Sequence, residues 1–437
     1  MSAVLERVEA AAVSDDTEVV PHGYKRTEAG VIPLDWDEST VGCDFSIQLG
    51  KMLDAARNVG VPKPYLGNRA VQWGRIDLEA IATVPMSQSD LQRFRLQRGD
   101  LLVCEGGEIG RAAIWDAPIA ECYYQKALHR LRPKRDYDSF LMLCLLQLWT
   151  TTGYLADYVT QTSIAHLPKD KLEQVPLPVP PKSEQRAIAA ALADVDGVLG
   201  ALAALIAKKR AIKQAAMLQL LTGRTRLPGF AGEWETKRLG EITTYHSTAN
   251  NPRSDLGADG DTDYIHYGDV HAHEGPVLDC RQAGLPHIAR HLTGTATRVE
   301  EGDLVFVDAS EDLEGVGKSV EITGVGGRNV VAGLHTILCR GNRAYFALGF
   351  MAYLQFLPTF KNALTRVATG ISVYATSKSQ IAAVELALPP VPEQRAIVTV
   401  LSDMDAEIEA LEARREKTEA IKRGMMQALL TGRVRLR

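Results

Sequence analysis

The chain has 437 residues, 46% apolar and 24% charged, ordinary for a soluble protein of two globular domains plus extra elements. Its 49 basic and 54 acidic residues give a formal net charge of −5, which neither demands nor excludes nucleic acid but argues against avid binding by the isolated chain. No run approaches the roughly 18 apolar residues needed to cross a membrane, and Met1-Ser2-Ala3-Val4-Leu5-Glu6 lacks the basic and apolar parts of a signal peptide. Six cysteines lie far apart without a Cys-x-x-Cys, fitting reduced, mostly buried thiols of a cytoplasmic protein rather than a disulfide framework or zinc site.

In chain order, residues 1–22 form an N-terminal extension without a motif. Residues 23–175 alternate strand-like runs with turn signals. Residues 80–84 and 101–103 are short apolar strands, and residues 112–115 follow a glycine turn, Gly106-Gly107-Glu108-Ile109-Gly110. A solid apolar helix is expected at 140–148. After a Pro-rich hinge at 176–181 comes a long helix, closing a segment that spans 176–227. Residues 228–385 repeat the order, with strands at 303–307 and 320–323 and a helix at 345–356. A second hinge at 389–392 opens a distal helix within 386–437. Between Arg93 and Arg135 nine Lys/Arg face five Asp/Glu, whereas residues 228–385 hold 13 against 19, so the second globular region is acidic.

The two helices are copies of one another. Glu184-Gln185-Arg186-Ala187-Ile188 and Leu220-Leu221-Thr222-Gly223-Arg224 recur 209 positions later as Glu393-Gln394-Arg395-Ala396-Ile397 and Leu429-Leu430-Thr431-Gly432-Arg433, with 23 of 44 aligned positions identical. The repeat extends upstream with a drifting offset: Trp36 answers Trp234, Gly99-Asp100-Leu101 answers Gly302-Asp303-Leu304, and His129 answers His335. Drift within a matched framework reads as loop insertion. Residues 45–95 and 245–297 do not align, so one scaffold carries two different surfaces.

Leu192, Val195, Leu199, Leu202 and Ile206 step by three and four, as do Leu401, Met404, Ile408 and Leu411. Such a heptad seam wants a partner helix, and Ile212, Met217, Ile421 and Met426 would widen the stripe. The alternative is that each helix packs only on its own domain. A helix of nearly 40 residues reaches about 55–60 Å, longer than either domain needs, which favours pairing of the two.

Catalytic motifs come out poorly. Glu314-Gly315-Val316-Gly317-Lys318-Ser319 ends like a phosphate-binding loop, but Asp312 occupies the first glycine position. An Asn-Pro-Pro-aromatic tetrapeptide is missing, and Glu235-Thr236-Lys237 lacks the upstream Pro-Asp of a nuclease carboxylate set. His129 and His335 sit in strand-like apolar stretches, where a buried, hydrogen-bonded histidine is expected rather than a base or ligand.

Over essentially its whole length the chain resembles the specificity (S) subunit of type I restriction–modification systems. The resemblance rests on Gly30-Val31-Ile32-Pro33-Leu34-Asp35-Trp36, on Gly99-Asp100-Leu101-Leu102, and on the two Pro-Pro…Glu-Gln-Arg-Ala-Ile helices ending in Leu-Leu-Thr-Gly-Arg. It implies an α/β fold of two similar mixed α/β target recognition domains, separated by two long antiparallel coiled-coil helices in a pseudo-twofold internal repeat. It further implies a non-catalytic subunit that reads a bipartite, asymmetric site on double-stranded DNA. That subunit docks two methyltransferase (M) subunits and, through them, restriction/translocase (R) subunits. No cofactor is expected on this chain; S-adenosylmethionine and ATP/Mg belong to the partners.

Candidate readers are polar side chains in the dissimilar loops and near turns. They are Lys51, Arg69, Gln72, Arg75, Arg93, Arg111, Tyr124, Gln125 and Lys126 in the first domain, and Asn250, Asn251, Arg253, Tyr267, Lys318, Asn329 and Tyr374 in the second. Arg can bracket guanine, and Asn or Gln adenine, in the major groove. The glycine turns at 106–110 and 315–317 could offer backbone amides to phosphate. Two other classes stand beside this reading: a pure scaffold whose domains bind peptide, and an enzyme with an unrecognised site.

Overall fold

A computed structural model describes residues 20–54, 58–161, 165–313, 315–367 and 374–436. Most of the N-terminal extension, and Glu314 of the loop-like motif, lie outside them. The fold is mixed α/β, in two compact units: one gathers the chain up to Ala203 and again from Glu412, the other is Ala204–Leu411.

In the first unit a four-stranded antiparallel sheet runs in the order Ala112–Ile114, Leu101–Cys104, Leu128–Pro133, Phe45–Leu49. The all-buried strand Leu101–Cys104 is central because both its faces are apolar. A smaller sheet pairs Val61–Leu66 parallel to Tyr123–Tyr124 and antiparallel to Ala82–Met86. The helix Ser139–Thr152 is capped by Asp138, whose carboxylate accepts from the Phe140 and Leu141 amides, and it ends at Gly153 in the left-handed region.

The second unit carries the same order, Ser319–Thr323, Leu304–Val307, Thr336–Gly341, Thr243–His246, with Val277–Asp279 added in parallel at one edge. Its smaller sheet again has one parallel and one antiparallel partner, Val330–Ala332 and His287–Ile288, around Thr262–Ile265.

The ladders correct one sequence match. Leu101 faces Leu131, and Leu304 faces Cys339, so the counterpart of His129, opposite Val103, is Ile337, opposite Phe306. His129 is buried, with Nε2 2.8 Å from the Leu167 carbonyl, and burial pulls its pKa down. His335 stands two residues before Ile337, exposed, with φ of +56° and Nδ1 3.2 Å from the Asp308 carboxylate. The apolar neighbours that suggested a buried histidine belong to the strand it precedes. The expected helix at 345–356 is likewise replaced by a 3-10 segment, Met351–Phe356, and the α-helix Pro358–Val367. Buried Glu321 accepts the Gly349 and Ala352 amides at 2.6 and 2.9 Å and so claims donors that a continuous helix would use.

Both Gly-Asp-Leu landmarks build the same clamp. The glycine has positive φ, +88° at Gly99 and +78° at Gly302. The following aspartate accepts the amide of Gln97 or Glu300 and a two-pronged guanidinium, Arg132 on Asp100 and Arg340 on Asp303, at 2.7–2.8 Å.

The two long helices are Lys182–Leu221 and Val391–Leu430, 40 residues each. Within the first unit Glu184 pairs with Arg435 and Asp196 with Lys422; within the second, Lys209 pairs with Glu407, Lys213 with Asp405 and Arg226 with Glu393. In each unit the partner number falls as the helix number rises, so the segments run antiparallel. Leu192, Val195, Leu202, Ile206, Leu401 and Ile408 are buried; Leu199, Met404 and Leu411 are half-buried. Ile421 packs against the first core, but Ile212 is 44% exposed and does not widen the stripe.

Each helix ends at a left-handed glycine, Gly223 or Gly432. A Cβ there would come within 3.3 Å of Trp234, or 2.5 Å of Pro33 and 3.2 Å of Trp36. The indole of Trp36 donates to Glu184 at 2.9 Å and that of Trp234 to Glu393 at 3.2 Å. Arg435 and Arg226 lie over those indoles while gripping the same carboxylates.

By length and composition the helix Lys182–Leu221 could cross a membrane, with a mean hydropathy of 1.8 in its most apolar stretch, contrary to the expectation from the sequence. Asp194 and Asp196 interrupt that stretch and hide it from a search for unbroken apolar letters. Asp196 holds Lys422 at 2.6 Å, beside buried Leu192 and Val195. Five cysteines are buried and Cys43 is exposed; burial pushes the thiols of Cys122, Cys144, Cys280 and Cys339 up to about 12.

Candidate nucleic-acid interface

In the first unit three chain segments meet beyond the central strand. Leu101–Cys104 leads into the glycine turn, Val61–Leu66 into Asn68–Ala70, and Tyr123–Tyr124 into Gln125 and Lys126. Asn68 donates to the Gly106 carbonyl at 3.1 Å, and Arg111 reaches the Asn68 carbonyl at 3.1 Å and Glu108 at 3.3 Å. Trp73 donates to the same Glu108 carboxylate at 2.5 Å. The Gln125 amide lies against Gly67, 3.2 Å from where a Cβ would stand, and His166 lies as close to Gly106.

The structure therefore gathers Arg69, Gln72, Arg111, Gln125 and Lys126 around this turn, with Arg69 and Lys126 exposed. Gln72 donates to the Arg69 carbonyl at 2.8 Å. Arg75 is exposed on the Val71–Ile76 hairpin, and Arg93 stands over Phe94 at 5.1 Å. Lys51 is held by Asp90 at 2.7 Å. Tyr124 is a core residue: it is fully buried, its hydroxyl donates to the Gln48 carbonyl, and burial pushes it up to about 12.

The second unit has a cleft of about 720 Å³ at the corresponding place. Three backbone hydrogen bonds set the correspondence. Cys104 donates to the Arg111 carbonyl as Val307 does to that of Lys318, Gln125 to Leu66 as Gly333 to Ile265, and Glu105 to Ala127 as Asp308 to His335. The side chains at matched places differ. Tyr267 replaces Asn68, Gly333 replaces Gln125 and His335 replaces Ala127, while Lys318 stands for Arg111.

Tyr267 forms the floor, with His266, His335 and His271 around its ring at 4.4, 5.5 and 6.2 Å. Lys318 donates to the His271 carbonyl at 2.5 Å, and burial pulls its pKa down. His266 accepts the Gly268 amide, and burial holds its pKa below the usual value. Glu311 and Asp312 line the mouth.

Of the remaining candidates, Tyr374 is half-buried on the strand paired with Ala309–Ser310. Arg253 is tied to Asp269 at 2.7 Å, Asn250 is exposed, and the Asn251 carbonyl accepts the Tyr264 hydroxyl. Asn329 lines a separate cleft of about 690 Å³ with Arg290, His291 and Arg298. Those three, and Asn68, His271 and Glu311, were not among the sequence candidates. Polar letters scattered between short strands give no sign of which ends the ladders bring together.

The family described as the type I restriction modification DNA specificity domain matches residues 33–209. The MjaX specificity subunit of Methanocaldococcus jannaschii, named as a type I restriction enzyme subunit, is 23% identical over 440 residues, covering 95% of this chain and 97% of that protein. Residues 33–209 thus match the domain of that family, and over nearly its whole length the chain is similar to a type I restriction enzyme specificity subunit. The MjaVIII specificity subunit of the same organism is 22% identical over 443 residues, covering 95% and 96%. The S subunit from M. genitalium has the same fold, with a TM-score of 0.53 at 15% identity, covering 90% of this chain and 96% of that one. A chain from a structure concerned with assembly and conformational transition of the type I R-M system gives 0.59 at 14% identity, covering 92% and 99%.

Proposed function

We propose that each unit is a target recognition domain that reads one half of a bipartite, asymmetric site on double-stranded DNA. The surface around the glycine turn of the first unit and the cleft around Tyr267 in the second are the readers. One observation carries this reading: equivalent backbone positions present different side chains in the two units, Asn68, Gln125 and Ala127 against Tyr267, Gly333 and His335. A shared frame with exchanged side chains suits two half-sites of different sequence. The long helices act as spacers between the domains and dock two methyltransferase subunits, which in turn carry the restriction subunits. S-adenosylmethionine and ATP/Mg are bound by those partners, in the cytoplasm. With a net charge of −5 the chain draws on its partners' positive charge to hold phosphates. The test is to map methylated adenines with the methyltransferase partners present, for the natural chain and for Arg69→Ala/Lys126→Ala. The double variant should relax or weaken one half-site and leave the other intact. An unchanged motif would remove the glycine-turn surface of the first unit from recognition.

A further inference from the structure

The matched sites of the two units each carry an acidic residue, in two different states. Glu108 lies four residues beyond Cys104, and Glu311 lies four beyond Val307, the strand position equivalent to Cys104. In the first unit the Glu108 carboxylate is occupied by Trp73 and Arg111. In the second, neither donor is available. The Trp73 hairpin has no counterpart among the described residues, and Lys318, at the Arg111 place, is turned to the His271 carbonyl. Glu311 is exposed at the cleft mouth, beside the aromatic floor of Tyr267.

We infer that Glu311 is a specificity-determining residue that accepts a hydrogen bond from the exocyclic amino group of a base, cytosine N4 or adenine N6, in the second half-site. A carboxylate offers only acceptors, so on the strand it faces it selects an amino edge over the keto edge of guanine or thymine. An exposed acid in a DNA-facing cleft repels phosphate; a donor on the base edge offsets that cost at the preferred sequence and leaves it uncompensated elsewhere. The glycine-turn surface of the first unit, where Glu108 is already occupied and Arg69 and Lys126 are exposed, lacks this filter.

This inference rests on the DNA-reading role proposed above. The experiment uses the full complex with its methyltransferase subunits and compares binding of the mapped site by the natural chain and Glu311→Ala. Duplexes are made with each amino group of the second half-site removed in turn, 2-pyrimidinone for cytosine or purine for adenine. At one position, removing the amino group should weaken binding by the natural chain about tenfold. Glu311→Ala, which lacks both the acceptor and its repulsion, should bind the intact duplex and that modified duplex alike, so that removing the amino group no longer weakens binding. Losses that multiply at every position, or a variant that weakens all sequences uniformly, would overturn the inference. A natural complex that modifies no bipartite site would instead defeat the DNA-reading role itself.

Discussion

Glu184→Ala should loosen the first unit selectively. The carboxylate is buried and accepts four hydrogen bonds: two from Arg435 at 2.7 Å, one from the Trp36 indole at 2.9 Å and one from the Leu436 amide at 3.2 Å. Truncation leaves the fully buried Trp36 N–H without an acceptor, while Arg435 keeps Asp35 at 2.7–2.8 Å. Breaking a buried pair costs about 3–5 kcal/mol. Because Arg435 retains one partner, the lower end, about 3 kcal/mol, is expected. Hydrogen exchange resolved by unit reads this best, since two units need not unfold together. Protection should fall in the first unit while the Arg226–Glu393 clamp holds the second. A loss below about 1 kcal/mol, or equal loss in both units, would refute the reasoning.

Burial raises the pKa of Glu184, but Arg435, Trp36 and the Leu436 amide outweigh that and hold it below the usual glutamate value. A depressed pKa contributes stability above the unfolded value of about 4.3 and loses it as pH falls through the folded one. Acid should therefore release the tail, and a Glu184→Gln variant should lack that step in acid titration of exchange protection.

Other expectations follow from the same contacts. Burial pushes Glu321 up to about 7, against the Gly349 and Ala352 amides; stability of the second unit should fall by about 1 kcal/mol between pH 6 and pH 8, and Glu321→Gln should flatten that slope in thermal unfolding. Adding one turn to both long helices lengthens the spacer by about 5.4 Å, against about 3.4 Å per base pair, so methylation mapping should show a wider gap with both half-sites unchanged; altered half-sites would contradict the spacer role. A fragment ending near Leu227 should dimerise, because Glu184–Arg435 and Asp196–Lys422 can be rebuilt as Glu184–Arg226 and Asp196–Lys213 between two copies. It should then recognise a palindrome of the first half-site, and a monomer in sedimentation would count against it. The purified chain should not transfer methyl groups, whereas the full complex should methylate one adenine in each half-site.

Much of the frame was legible because its landmarks are repeated and each has a local cause. Asp100 and Asp303 cap turns and grip arginines, while Trp36 and Trp234 fix the ends of the helices, so spacing in the chain tracks spacing in the fold. The seam of Leu192, Val195, Leu202, Leu401 and Ile408 showed through a simple period. The two sites did not, because they form between segments joined only by ladder register. Asn68 meets Gly106, and Tyr267 meets His335, for reasons that no window of sequence contains. Tyr124 reads as a surface reader until its hydroxyl is found buried on Gln48, and His335 reads as a strand residue until its positive φ places it in the turn before the strand.

The central claim is that the two units read separate half-sites. Residues 228–385 can be exchanged for the matching region of another family member, and methylated adenines mapped with the same partner subunits. One half-site should change to that of the donor, while the other half-site and the gap stay as they were. A change in both half-sites, or in neither, would contradict the account.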